Sequence, residues 1–156
     1  MINRGYVFQS DTDTEVLINL IEEVKKHEAC KLGKAVQIAL TQVIGAYAIA
    51  VFDKTKPNEI VVARLGSPIA VGIGKNNSEF FIASDASPFI EFTKDAIYLE
   101  DEEMAIIKLD KGIRVRRIKD DSLVVANIQE LQLSLEQIEK GGYDHFMLKE
   151  IHEQPK

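Results

Sequence analysis

Residues Gly45 to Gly74 read GAYAIAVFDKTKPNEIVVARLGSPIAVGIG. Two dense apolar runs, Ala46–Phe52 and Glu59–Leu65, are rich in Val, Ile and Ala. Between them lies Asp53–Asn58, with the Asp, Lys, Thr, Pro and Asn that turns favour. The order is strand, turn, strand. A third run, Ile69–Ile73, follows Gly66-Ser67-Pro68. The alternation is imperfect, because Ala48, Ile49, Ala50 and Val51 are all apolar. Strands that are apolar on both sides are covered on both faces. The ribbon is therefore expected in the middle of the fold, with layers on either side of it.

Upstream, Gly5-Tyr6-Val7-Phe8 suggests a brief strand. In Ser10-Asp11-Thr12-Asp13-Thr14-Glu15, Thr12 and Glu15 have capping-box spacing. Val16, Leu17, Leu20, Ile21 and Val24 recur at helical spacing, which predicts a helix over Thr14–Lys26. A second helix is expected over Lys31–Ile44, burying Leu32, Ala35, Val36, Ala39, Leu40 and Val43 and ending at Gly45 as C-cap. Downstream, strands are expected at Glu79–Ala83, Ile97–Leu99, Met104–Leu109 and Ile113–Ile118. Leu123–Ile128 reads as an edge strand, and Phe89–Phe92 as one helical turn. Beyond Gln129, Leu131, Leu135 and Ile138 fit one helical stripe. Phe146, Met147, Leu148 and Ile151 define a last short helix before Pro155. Helices, then many strands, then helices excludes regular β-α-β repetition and points to an α+β fold, with helices packed outside two stacked sheets.

At 156 residues the chain is long enough for one domain with a real core. Its 46% hydrophobic and 28% charged residues are an ordinary soluble balance. A net charge of -6 argues against a nucleic-acid partner. No apolar run approaches the roughly 20 residues needed to span a bilayer, and Met1–Tyr6 leads into no signal-peptide core. One cysteine, Cys30, excludes an intrachain disulfide and agrees with a cytoplasmic setting. The short basic cluster Arg114, Arg116, Arg117 and Lys119 is followed at once by Asp120 and Asp121. It reads as a solvated strand face rather than a phosphate site.

Few residues carry chemistry. Gly72-x-Gly74 lacks the third glycine and the following helix of a nucleotide loop. His145 and His152 are seven apart, but a charged helix surface explains them and Glu150 as well as a metal would, so no metal site and no cofactor is expected. Cys30 has no base beside it in sequence. Asp85 reads as the cap of the next short helix rather than as a ligand group. Asp13 is different. The cap needs Thr12 and Glu15 but not Asp13, whose carboxylate could instead face a cationic group such as an amine.

Ser10-Asp11-Thr12-Asp13-Thr14-Glu15-Val16, Gly66-Ser67-Pro68, Ile82-Ala83-Ser84-Asp85 and GGYDHFMLKEIHEQP (Gly141–Pro155), in this order and spacing, resemble the glutamine:fructose-6-phosphate aminotransferase family. The resemblance runs from Arg4 to the C-terminus. It implies the glutaminase domain of an N-terminal-nucleophile amidotransferase, a four-layer alpha-beta-beta-alpha sandwich. In this family the glutaminase releases ammonia, which passes to two sugar-isomerase domains where glucosamine 6-phosphate forms from fructose 6-phosphate. The chain matches the C-terminal two-thirds of that domain, residues 1–156, ending at the linker toward the isomerase domains. It is thus expected to be an incomplete sandwich.

The family's nucleophile, an N-terminal cysteine whose free amine is the general base, lies upstream of Met1 in this comparison. So do its oxyanion Asn-Gly and the groups for the substrate carboxylate. Cys30, beyond the Ser10–Val16 motif, does not match the nucleophile, nor do Asn3 and Gly5 match the Asn-Gly pair. No catalytic residue is therefore expected in this chain, and the piece alone is expected to be inactive. One family substrate residue does fall on it: Asp13 matches the carboxylate that holds the glutamine α-amino group. Implied partners are glutamine and the sugar-isomerase domains of the same parent. The family's dimeric or larger assembly, and the open sheet edge expected of an incomplete sandwich, both imply a homo-oligomer. The alternatives are the glutaminase portion of another amidotransferase, or a noncatalytic module that binds a small molecule or a protein.

Overall fold

The computed structural model describes residues 5–131 and 142–154. Two helices come first, α1 (Asp13–His27) and α2 (Leu32–Leu40). Among the described residues nine strands follow: β1 (Tyr47–Asp53), β2 (Lys56–Leu65), β3 (Ala70–Ile73), β4 (Phe80–Ala83), β5 (Asp95–Tyr98), β6 (Glu103–Lys108), β7 (Gly112–Arg117), β8 (Leu123–Val124) and β9 (Ile128–Glu130). The last element is α3 (Phe146–Glu153). The strands form two antiparallel sheets, β1-β2-β6-β7-β8 and β4-β3-β5-β9. Among the described residues no helix is long and apolar enough to cross a membrane.

The cover expected on both faces of the Ala48–Val51 run is not found among the described residues. That run lies in β1, an edge strand of the first sheet on which Ala48 and Ala50 are exposed. The strand of the ribbon covered on both faces is β2. Val61 and Ala63 face α1 and α2, while Ile60 and Val62 face the second sheet. β6 alternates likewise, with Met104 toward the helices and Ala105 and Ile107 toward the second sheet. Side chains with period two thus supply both cores of a helix–sheet–sheet stack. Val61 and Val62 are fully buried, and burial of each side chain stabilises by about 1.5–3 kcal/mol. A third cluster lies on the outer face of the second sheet, where Phe89 and Ile90 pack on Ala70 and Ala96.

The chain passes between the sheets three times: β2 to β3 at Gly66–Pro68, β5 to β6 at Leu99–Glu102, and β8 to β9 at Val125–Asn127. Arg64 fastens the first two crossings together. Its guanidinium donates to the Leu99 carbonyl at 2.9 Å and to Asp101 at 2.6 Å. Asp101 also accepts the Gly66 amide at 2.9 Å. Gly66 holds φ +73°, and a Cβ there would lie 3.0 Å from that of Ala46. The Gly-Ser-Pro motif is therefore a corner between sheets.

Several expectations are corrected. Gly5–Phe8 is not a strand: the Tyr6 hydroxyl donates to Glu23 at 2.6 Å, drawing the segment along α1. The second helix stops at Leu40 rather than Ile44. Its end tightens into three-residue bonds, Gln42 N to Ala39 O and Val43 N to Leu40 O, and Thr41 is the C-cap. Gly45 instead supplies a φ of +121° on the way into β1. The capping box is not closed, because Thr12 makes no side-chain cap bond and Glu15 reaches past it to the amides of Gln9 and Ser10. Leu123–Ile128 is not one edge strand: β8 extends the first sheet and β9 the second. The helix expected through Leu135 and Ile138 lies outside the described residues, and Leu131 is buried beside Phe89.

Several carboxylates are held as anions. Asp53, at the end of β1, accepts from Lys25 and from the Thr55 hydroxyl and amide, which hold its carboxyl well below the usual range. Asp101 is lowered by the Gly66 amide and then by Arg64. Folded values below unfolded ones contribute stability that is complete above the unfolded carboxyl range, about pH 4. That contribution is lost as pH falls through the folded values. Urea unfolding midpoints should accordingly be flat from neutral pH to about pH 5 and fall below about pH 4. Asp53→Asn should make the acid fall shallower.

Candidate functional site

The segment before α1 is ordered by one carboxylate. Glu15 accepts the Gln9 amide at 2.8 Å through Oε1, and the Ser10 amide at 2.7 Å and hydroxyl at 2.6 Å through Oε2. Ser10 Oγ lies 2.8 Å from Thr12 Oγ1. The Ser10 hydroxyl, then the Gln9 amide, lower the Glu15 pKa. Three acceptor positions of the carboxylate are thus taken within the segment.

Asp13 is the first residue of α1 and is exposed. Among the described residues its carboxylate has only the Thr14 hydroxyl, at 3.5 Å, the outer limit of a hydrogen bond. An anion on the first turn is favoured by the helix dipole. The segment thus engages Glu15 internally and presents Asp13 outward, as an acceptor set on a regular element. That arrangement can take an ammonium or another multiple N–H donor.

The other sequence candidates are placed apart from Asp13 or serve packing. Cys30 lies beyond the far end of α1 and packs against the helix–sheet core. Fifteen helical residues at 1.5 Å each put it about 20 Å from Asp13. Asp85 accepts the Ser87 amide at 2.8 Å in a local turn, and Ser87 lowers its carboxyl, but the N-cap of the short helix Ser87–Phe89 is Ala86 rather than Asp85. Gly72 is in β3, where a Cβ would lie 2.8 Å from the Phe89 ring. Its lack of a side chain serves packing, as does that of Gly74, whose Cβ would meet Glu79 at 2.3 Å. His145 is the N-cap of α3, and His152 stacks on Tyr143 at 5.4 Å. Of the basic cluster, Arg116 pairs with Asp121 at 3.0 Å. No composition signal singled out Lys34, which reaches the same Asp121 from α2 at 3.1 Å.

No family model matches the chain. Curated relatives do. The glutamine–fructose-6-phosphate aminotransferase of Bacteroides thetaiotaomicron is 52% identical over 152 residues, 97% of this chain and 24% of the relative. That of Chlorobaculum tepidum is 49% identical over 156 residues, 99% of this chain and 25% of the relative. That of Pyrococcus horikoshii is 42% identical over 156 residues, all of this chain and 25% of the relative. The chain is homologous to part of this aminotransferase. The resemblance carried by its motifs is therefore confirmed, and the chain spans about a quarter of the length of the curated relatives it matches. Against the aminotransferase motifs, the structure sets Ser10–Val16 at the entry to α1, Gly66–Pro68 at a corner between sheets, and Ile82–Asp85 at the exit of β4. Most of the Gly141–Pro155 motif is α3.

Proposed function

We propose that this chain is part of the glutaminase domain of a glutamine:fructose-6-phosphate aminotransferase, and that Asp13 holds the α-amino group of glutamine there. The observation that carries this is 42–52% identity over nearly the whole chain to one quarter of that enzyme. In this reading residues 1–156 form the C-terminal two-thirds of an N-terminal-nucleophile amidotransferase domain. The parent is cytoplasmic and oligomeric, and sugar-isomerase domains of the same parent use the ammonia.

The first sheet supports the idea of a sandwich completed by more chain. On β1, Tyr47, Ile49 and Val51 pack toward the helices, but Ala48, Ala50 and Phe52 face away from them and are exposed. Phe52 is 63% exposed. The same face of neighbouring β2 is buried by the second sheet. The second sheet ends at β4, so β1 has an apolar face without a cover among the described residues. A further strand beside β4 would supply one, and would bring with it the region in which the family places its nucleophile. The helices and two sheets described here would then be layers of the four-layer alpha-beta-beta-alpha sandwich.

Acyl transfer needs a nucleophile and donors for the developing oxyanion, and we assign neither to this chain. The expected result is no ammonia release from glutamine by the 156-residue protein, and ready release by the full-length enzyme under the same conditions. Turnover by the shorter protein would overturn the assignment of catalysis to residues outside it.

A further inference from the structure

The helix-side face of the first sheet changes character along its strands. One cross-strand row is apolar where the helices cover it, with Ala63 opposite Met104. The next places Val61, Ile106 and Arg114 side by side, and the next Glu59, Lys108 and Gly112. The first turn of α2 rests on this region, since a Cβ on Gly33 would lie 2.5 Å from Ile106 Cδ1. Between the helix and the strands is a cavity of about 230 Å³ with Ile106 in its lining.

Six cationic side chains line that cavity: Lys31, Lys34, Lys108, Lys111, Arg114 and Arg116. They come from three places, α2 with its N-cap, β6 with the turn that follows, and β7. Among the described residues the lining has two carboxylates, and both are engaged. Glu59 pairs with Lys108. Asp121 pairs with Lys34 at 3.1 Å and with Arg116 at 3.0 Å. Among the described residues Lys31, Lys111 and Arg114 have no carboxylate partner. The first turn of α2 has no acidic residue, and Lys31 makes no side-chain cap bond.

A solvated strand face would spread its like charges apart. Here they converge on one hollow, in a chain whose net charge is -6. Lys108 and Arg114 are diagonal neighbours across β6 and β7, a spacing of about 7–8 Å at which like charges repel. Lys31 and Lys34 stand at the helix end where cations are disfavoured. Each of these costs is removed by a multiply charged anion in the cavity. Arginine supplies paired N–H donors for phosphate oxygens, and lysine supplies point charge.

We infer that this cavity is a binding site for a small phosphate-bearing molecule, with Arg114 and Lys31 as its principal ligands. The site is on sequence features separate from Asp13, so it stands or falls apart from glutamine recognition. The cavity's size suits a phosphate or diphosphate group with a small attached body rather than a polymer.

Isothermal titration of the protein with pyrophosphate, and separately with inorganic phosphate, tests this. The expected result is one saturable pyrophosphate site whose affinity falls at least about fivefold between ~0.02 M and ~0.3 M salt. Arg114→Ala and Lys31→Ala should each weaken it about tenfold or more, and Arg114→Lys should weaken it less. Lys75→Ala, in the turn between β3 and β4, should leave it unchanged. The relative strength of the two titrations tells a diphosphate site from a monophosphate site. Absence of saturation would overturn the proposal, as would equal weakening by Lys75→Ala. So would binding of poly-glutamate with neither phosphate bound, which would identify an acidic macromolecule as the occupant. Circular dichroism of each variant separates lost binding from lost folding, and both alanine replacements are at surface positions.

Discussion

Asp13→Ala in the full-length aminotransferase should raise the glutamine KM by about 10-fold to 100-fold, the effect of removing one charge-assisted contact to an ammonium. Fructose 6-phosphate affinity should be unchanged, because sugar binding belongs to other domains in the proposed assignment. One short segment divides its labour between two carboxylates. Glu15 accepts the amides of Gln9 and Ser10, so it orders the segment. Among the described residues Asp13 is left with a single 3.5 Å contact, so it is open to substrate in the proposed assignment. Asp13→Asn keeps the shape and removes the charge, and should resemble the alanine variant. Glu15→Gln should act differently, loosening the segment and lowering stability as well as affinity. A glutamine KM unaltered by Asp13→Ala would remove Asp13 from the site.

Phe89→Ala should produce the largest loss of stability of any single change considered, about 3–5 kcal/mol. Phe89 is 2% exposed and anchors the outer face of the second sheet. Its ring lies 6.0 Å from that of Phe81, which in turn lies 5.5 Å from Phe92. The ring presses directly on the backbone of β3, where Gly72 makes room for it. Gly72→Ala attacks the same contact from the other side. A Cβ 2.8 Å from a ring carbon forces the ring or the strand to move, with a cost of about 1–3 kcal/mol. Denaturant melts of the two single variants and the double variant measure this. The double variant should lose less than the sum, because once Phe89 is alanine the added methyl has space. A Phe89→Ala loss under about 1 kcal/mol would show that the outer face of the second sheet contributes little.

The order of helices and strands was legible, and period-two burial is a strong signal where both faces of a strand are covered, as in β2. The same kind of apolar run at Ala48–Val51 misleads, because β1 is an edge strand with one face exposed. Val61, Val62 and Ala63 are apolar in succession since each alternate residue serves a different core. The helices were legible from their stripes. What was not legible was local competition for hydrogen bonds. Glu15 could close a capping box or reach two amides further back, and spacing does not tell these apart. The split of Leu123–Ile128 between two sheets was hidden as well, since both halves are edge strands with the same residue types. Asp13 was singled out by its motif; the cap lends it no support, because Thr12 and Glu15 close no capping box. The basic cavity was missed, because Lys31 and Lys34 lie more than seventy residues before Arg114 in the sequence. Only the packing of α2 on β6 brings them together.

The three crossings between the sheets have a consequence for how the molecule comes apart. Each sheet is built from segments that alternate along one chain, so neither can detach with its strands intact while the other keeps its order. Arg64, bound to Leu99 and Asp101, locks two of these crossings to each other. Loss of β2 from the first sheet therefore pulls on the entrance to β3 and the exit from β5 at once. The two cores are therefore expected to melt as one cooperative unit, with partial opening at the margins: the segment before α1, the short strands β8 and β9, and α3. The proposed glutamine contact sits in one of those margins, where a segment can be reshaped by its ligand while the two sheets beneath it stay packed.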